Sequence, residues 1–278
     1  MRYVSYRLAN GPASYGRLVD GRVRDIGLVP GAPVDLKAAL QTGQLAHLRT
    51  GDATPLANLR LLPVIPNPSK ILCVGLNYES HRKETGRQER NHPAIFTRFA
   101  DTLVADGQGL VKPRVSDTFD YEGELALVIG RPCHQVPVQD ALSVIAGYSC
   151  FNDASVRDWQ QHNIQFTPGK NFPGTGALGP SLVTPDEVPD LASLHVVTTL
   201  NGTVVQDQSI GEMIWGVAEL IAYISAFTPL SPGDVIATGT PGGVGSKRTP
   251  PLWMKPGDSV SVSIGSIGTL TNPIVAGP

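Results

Sequence analysis

The chain has 278 residues, a formal net charge of −2, 41% hydrophobic and 17% charged residues, enough for a large domain plus a small one with ordinary cores. That charge balance gives no electrostatic case for nucleic acid as the main partner. Cys73, Cys133 and Cys150 are odd in number, far apart and outside any C-x-x-C pair, which argues against a disulfide framework or a structural zinc site.

The opening Met1-Arg2-Tyr3-Val4-Ser5-Tyr6 lacks the apolar core of a signal peptide. No apolar run approaches membrane-spanning length, so a cytoplasmic protein with no membrane partner is expected. Abundant glycine (30) and proline (24), with aromatics at 6%, favour turns and short strands. Tyr3, Val4, Tyr6 and Leu8 lead into Asn10-Gly11-Pro12, and Tyr15 to Val19 meets Asp20-Gly21, a hairpin signal. Leu36 to Leu48 reads as a short helix. The proline-dense Leu62 to Pro68 can continue neither a helix nor a central strand. It divides a small N-terminal β-rich domain, 1–66, from a second domain, 67–278.

Lys70 to Gly75 then reads as a buried strand. The charged run 79–92 fits a solvated helix with i,i+4 pairs, or a mobile lid carrying catalytic groups. Leu125 to Ile129, Ser181 to Thr184 and His195 to Leu200 are expected strands, the last closed by an Asn201-Gly202 hairpin turn. Ser209 and Glu212 have capping-box spacing before a helix whose periodic apolar residues run from Ile214 to Ile224. Ser231-Pro232-Gly233-Asp234 and Lys255-Pro256-Gly257-Asp258 both read as turns opening a strand.

Several constellations carry chemistry. Glu122 and Glu124, two apart in a strand, share a face, and like charges that close raise each other's pKa unless a cation lies between them. A hard divalent ion such as Mg²⁺ or Mn²⁺ suits them; an edge strand with one acidic, solvent-facing side fits equally well. Asp153, at the end of a strand from Gly147, completes a three-carboxylate set or caps the next helix. His81 and Glu84, three apart, share a helical face that suits either general-base activation of water or a surface ion pair. Lys170, in a Pro-Gly loop, is either solvated or polarises a carbonyl. Gly174 to Gly179 matches G-x-G-x-x-G in letters, but no strand precedes it and Pro180 and a strand follow, so a dinucleotide site is rejected. Thr238 to Gly245 lacks the Gly-Lys-Ser/Thr of a P-loop; it is a plain turn, or it brings N–H groups and the Thr240 hydroxyl to a substrate carboxylate.

Taken as an ordered set, Lys70 to Tyr78, His81 with Glu84, Asp120-Tyr121-Glu122-Gly123-Glu124-Leu125, Gly147-Tyr148 to Asn152-Asp153, Arg157-Asp158-Trp159-Gln160, Gly169-Lys170 and Thr238-Gly239-Thr240-Pro241 resemble the fumarylacetoacetate hydrolase superfamily. The resemblance implies an α+β, mainly β fold with a central mixed β-sheet roll, and a homodimer. It implies Mg²⁺ or Mn²⁺ held by Glu122, Glu124 and Asp153, a water-activating His81–Glu84 dyad on a lid that orders with substrate, and Lys170 as the active-site lysine. Arg98, Gln160 and Thr240 would contact substrate. Arg98 stands where many members have lysine, and Asn171-Phe172-Pro173-Gly174 departs from the family's Ser-Phe-Asp continuation.

The expected activity is cleavage of a C–C bond in a 2,4-dioxo acid, an acylpyruvate or a sugar-derived diketo acid, by activated water with a metal-stabilised enolate. An oxaloacetate decarboxylase or a 2-hydroxyhepta-2,4-diene-1,7-dioate isomerase would use the same metal site without attack by water. A non-catalytic protein that binds metal and oxo acid is the remaining alternative.

Overall fold

The computed structural model describes residues 1–8, 11–89 and 91–278; Asn10 of the first expected turn and Arg90 of the charged run lie outside them. The fold is α+β and mainly β, with 21% helix and 36% strand. It opens with β1 (Arg2–Arg7), β2 (Ala13–Val19), β3 (Arg22–Asp25), α1 (Leu36–Gln41), β4 (Ala53–Pro55) and β5 (Arg60–Leu61). Asp20 and Gly21 take φ of 46° and 71°, the conformation a two-residue hairpin turn requires. Asp35 caps α1, its carboxylate accepting from the Ala38 N–H at 2.7 Å. The helix stops at Gln41 rather than Leu48, and Leu45–His47 forms a separate 3₁₀ turn.

β6 (Ile71–Gly75), α2 (Glu79–Thr85), β7 (Ala94–Thr97), β8 (Leu103–Val104), β9 (Leu110–Lys112), β10 (Phe119–Asp120), β11 (Gly123–Ile129), α3 (Val138–Ala141), β12 (Ile145–Asn152), β13 (Ser155–Val156), α4 (Arg157–Gln160) and α5 (Thr167–Lys170) follow. The chain ends with β14 (Gly176–Val183), β15 (His195–Leu200), β16 (Thr203–Ser209), α6 (Val217–Phe227), β17 (Val235–Ala237), β18 (Ser259–Ile264) and β19 (Gly268–Ala276).

The large mixed sheet runs β4-β3-β2-β1-β14-β12-β11-β17-β6-β7, with β5 on β1 and β8 on β14. The N-terminal strands enter it where Arg2 and Tyr3 pair with Val183 and Leu182. A second sheet, β16-β15-β18-β19-β9, packs on one face of the first. Alternation along β11 decides which residue serves which side. Leu125, Leu127 and Ile129 join Val196, Val260, Val262 and the α6 residues Leu220, Ile221 and Ile224 in one core. Ala126 and Val128 face the opposite core with Leu36 and Leu40 of α1. Each such aliphatic side chain contributes about 1.5–3 kcal/mol when fully buried. Glu122 and Glu124 share the parity of Ala126 and Val128.

Helix α6 starts at Val217, not after Ser209. The Ser209 hydroxyl instead accepts the Gly211 N–H at 3.2 Å in a 3₁₀ turn, and Glu219 accepts the Gly216 N–H at 2.7 Å. The cause is Asn77: its carbonyl accepts the Ile214 N–H at 2.8 Å and its side-chain oxygen the Trp215 N–H at 2.9 Å, which holds that stretch out of a helix. The two Pro-Gly-Asp turns behave as expected. Asp234 accepts from Ser231 N and Asp258 from Lys255 N, both at 2.9 Å, immediately before β17 and β18. Among the described residues no helix is long and apolar enough to cross a membrane.

Candidate active site

Strand β11 lies between β12 and β17 and is buried along its whole length, so Glu122 and Glu124 do not sit on an acidic edge. Asp153 follows β12, and its N–H donates to the Glu122 carbonyl at 2.9 Å, carrying the β11–β12 ladder one residue past the strand ends. The residue before α4 is Val156, so Asp153 does not cap that helix. One oxygen from each of Glu122, Glu124 and Asp153 lies within 4.8 Å of the others, and all three residues are buried.

Three cations surround two of these carboxylates. Arg157 Nη2 lies 2.7 Å from Glu122 Oε1 and Lys170 Nζ 2.5 Å from Oε2. Arg98 Nε donates to Asp153 Oδ1 at 2.8 Å, and Lys170 also bonds Asp153 Oδ2 and, at 2.9 Å, the Asp153 carbonyl. Lys170 is not in an open loop. It ends the one-turn helix α5, where a Cβ at Gly169 would collide with the Gln160 backbone, and this close packing turns Lys170 inward to 1% exposure. Its ammonium also lies 5.0 Å from the Phe96 ring.

Glu124 is different. Among the described residues no ion pair reaches it, and its one hydrogen bond comes from the Gly239 N–H at 2.8 Å. Burial, then the Asp153 and Glu122 charges, push its carboxyl well above the ordinary range, against weaker opposition from Lys170 and the Gly239 N–H. Burial also acts to raise Glu122, but Arg157 and Lys170, followed by His81, reverse this and hold it well below the ordinary range. Desolvation would lower Lys170, but Asp153 and Glu122 outweigh it and raise its pKa. The three cations thus serve Glu122 and Asp153, and Glu124 is the carboxylate left without one beside it. Three buried carboxylate oxygens within reach of one another, one of them uncompensated, fit a hard divalent ion.

Within the charged run, helix α2 bears out the expected helix with paired charges and has a second, buried face. Its outer face carries Arg82 and Lys83 paired with Glu79. Its inner face buries His81 to 6% exposure. His81 Nδ1 lies 2.7 Å from Glu84 Oε1, while Glu84 Oε2 accepts the Gly243 N–H at 2.8 Å. With Nδ1 engaged by Glu84, Nε2 is the ring nitrogen that Glu84 leaves free to act.

Arg98, Gln160 and Thr240 all bond protein atoms around the cluster. Besides Asp153, Arg98 reaches Ala154 O at 2.6 Å and Thr175 at 3.3 Å. Gln160 accepts from Arg157 Nη1 at 3.0 Å, and Thr240 donates to the Gly123 carbonyl at 3.0 Å. Sequence reasoning assigned no role to Asp120. Its carboxylate takes Arg157 Nε at 2.8 Å and the N–H groups of Gly245 and Ser246 at 2.8 and 2.9 Å, tying the glycine-rich loop to the segment that carries Glu122 and Glu124. Its place in the run Asp120-Tyr121-Glu122-Gly123-Glu124 was the available signal.

The family profile described as "Fumarylacetoacetate (FAA) hydrolase C-terminal" matches residues 70–275. Oxaloacetate tautomerase fahd2, mitochondrial, of Xenopus laevis is 38% identical over 241 residues, 86% of this chain and 76% of the relative. The solved fumarylacetoacetate hydrolase from psychrophilic Exiguobacterium antarcticum has a TM-score of 0.86 at 31% identity over 100% of both chains. A 2-hydroxyhepta-2,4-diene-1,7-dioate isomerase from Mycobacterium marinum superposes with a TM-score of 0.81 at 33% identity, over 99% of this chain and 98% of the other. Members of the family are typically divalent-metal dependent, in keeping with the three-carboxylate cluster. On its sequence, its fold and the order of these residues, the chain belongs to the fumarylacetoacetate hydrolase superfamily of enzymes.

Proposed function

We propose that the chain catalyses metal-dependent proton transfer at the carbon beside the ketone of a small 2-oxo dicarboxylic acid, interconverting its keto and enol forms. The observation that carries this is the His81–Glu84 pair: bonded at 2.7 Å, largely buried, and close enough to Glu122 for the two groups to interact. A base beside the carboxylates suits removal of a proton next to a ketone held there. The names of the tautomerase and isomerase relatives support the substrate class.

Glu122, Glu124 and Asp153 would hold the cation, Mg²⁺ or Mn²⁺, which polarises the ketone when bound. Arg98, Arg157 and Lys170 keep Glu122 and Asp153 ionised and oriented. Glu84 fixes the His81 tautomer and balances its charge once protonated. His81 Nε2 takes the proton from carbon and returns it to oxygen. No bond between heavy atoms breaks and no water is consumed. Docked α2 keeps bulk water from the exchanging proton.

Cleavage of a 2,4-dioxo acid is the second reading. It is favoured by the same dyad, whose fixed carboxylate suits activation of water. A panel of oxaloacetate and acylpyruvates with Mg²⁺, read by ultraviolet absorbance and product mass spectrometry, separates the two. Enol–keto conversion without a change of mass supports the first; release of pyruvate and an acid supports the second. Turnover of none, with oxo acid bound, would leave the non-catalytic alternative. We place this activity in a cytoplasmic homodimer whose partner is the small-molecule substrate; light scattering tests the dimer.

A further inference from the structure

Strand β16 carries two glutamines that the proton transfer does not use. Gln206 is 2% exposed and its amide is fully engaged. Its oxygen accepts the Gly123 N–H at 3.0 Å, and its nitrogen donates to the Thr240 hydroxyl at 2.8 Å and the Pro241 carbonyl at 2.9 Å. Thr240 then donates to the Gly123 carbonyl at 3.0 Å. Gly123 lies between Glu122 and Glu124, so one amide and one hydroxyl grip the backbone that spaces two of the three carboxylates.

The sheet explains why this grip is needed. Asp153 N–H bonds the Glu122 carbonyl, so the next pair, Gly123 with Asn152, is a non-hydrogen-bonded pair and both Gly123 polar groups point away from β12. On that side β17 pairs only from Ala126 to Val128 and ends too early to meet them. Unpaired, they would be buried donors and acceptors without partners. A bulge aims the glutamine at them: Thr198 pairs with Gln206 and Thr199 with Val204, leaving Val205 extra, a device that redirects side chains. Strand β15 closes the space from the other side, since a Cβ at Gly123 would collide with the Thr198 hydroxyl.

Two residues on, Gln208 accepts a hydrogen bond from the Ser80 hydroxyl of α2, and Ser80 accepts the Gly242 N–H at 3.0 Å. The same strand thus reaches both halves of the site.

We propose that β16 is the positioning strand of this active site: Gln206 sets the spacing of Glu122 and Glu124, and Gln208 latches the dyad's helix through Ser80. This rests on the metal and dyad assignments above. The test titrates Mn²⁺ calorimetrically into metal-stripped full-length wild type, Gln206→Met, Thr240→Val, Ser80→Ala and Gln208→Ala, with thermal melts and steady-state kinetics on each. Gln206→Met and the nearly isosteric Thr240→Val are expected to raise the Mn²⁺ Kd roughly tenfold or more. Ser80→Ala and Gln208→Ala are expected to leave it unchanged and to lower kcat. A merely structural role would lower Tm without dividing the variants this way. Thr240→Val keeps the test open if Gln206→Met does not fold. Unchanged Mn²⁺ affinity in the first pair, or equal loss in all four, overturns the proposal. Wild type that takes up no Mn²⁺ overturns the metal assignment itself, a separate result.

Discussion

Glu122, Glu124 and Asp153 sit at the ends of two interior strands, with core on both faces and three buried cations around them. His81 and Glu84 instead ride a seven-residue helix whose attachments to the rest of the site are hydrogen bonds from the glycine-rich loop and to Gln208. Freeing the first group means opening the main sheet; freeing the second means breaking a few local bonds. Local opening of that kind costs far less than global unfolding. In the proposed function the contrast would let substrate pass α2 while the charge cluster stays assembled, so that metal binding and proton transfer could be perturbed separately.

The largest expected effect comes from breaking the rigid half. Asp153→Asn removes a ligand and leaves Arg98 and Lys170 without their shared anion; saturable Mn²⁺ binding and turnover should both disappear in calorimetry and assay. His81→Ala breaks the helix-borne half alone, lowering kcat by roughly 10²–10⁴ while the Mn²⁺ Kd stays at the wild-type value. If Mn²⁺ affinity fell with kcat, the two halves would not be separable. Asp120→Ala attacks the seam between them. Buried Arg157 loses a partner and two loop N–H groups lose their acceptor, so a loss of roughly 3–5 kcal/mol is expected in urea unfolding.

The smallest effect sharpens the electrostatic side. Because Glu124 is raised, the folded metal-free protein holds a proton that the unfolded chain has released above about pH 4.5. Stability should then fall as pH rises from there through the raised value, by up to about 1.4 kcal/mol per pH unit. Glu122, being lowered, acts only on the acid side, where stability falls as pH drops below its unfolded value. Added Mn²⁺ favours the ionised Glu124 and should flatten that slope. Melting curves in EDTA and in Mn²⁺ check this, and parallel curves would contradict it.

Local features were legible in the sequence because local chemistry fixes them. Asp20-Gly21 and Asn201-Gly202 make the expected hairpin turns with positive φ at each residue, and the apolar run after Glu124 is the buried strand it suggested. The start of α6 was not legible, since it depends on Asn77 bonding a backbone 137 residues away at Ile214 and holding it out of a helix. Lys170 gave no local sign of burial either; its anions are 17 and 48 residues off, and only the packing of Gly169 on Gln160 turns it inward. Gln206 sits in a strand whose alternation is interrupted by a bulge, so its inward aim could not be read from period two. The carboxylate triad stood out only as an ordered set of motifs, because neither glutamate's strand position nor Asp153 alone distinguishes a ligand from an edge or a cap.

The most direct measurement is deuterium uptake at the carbon beside the ketone of oxaloacetate, followed by NMR in D₂O with and without Mg²⁺ for wild type and His81→Ala. Mg²⁺-dependent acceleration over buffer in wild type, lost in His81→Ala, is the expected result. Exchange at the buffer rate with Mg²⁺ bound, or equal acceleration in both proteins, would contradict proton transfer by His81 at a metal-held oxo acid.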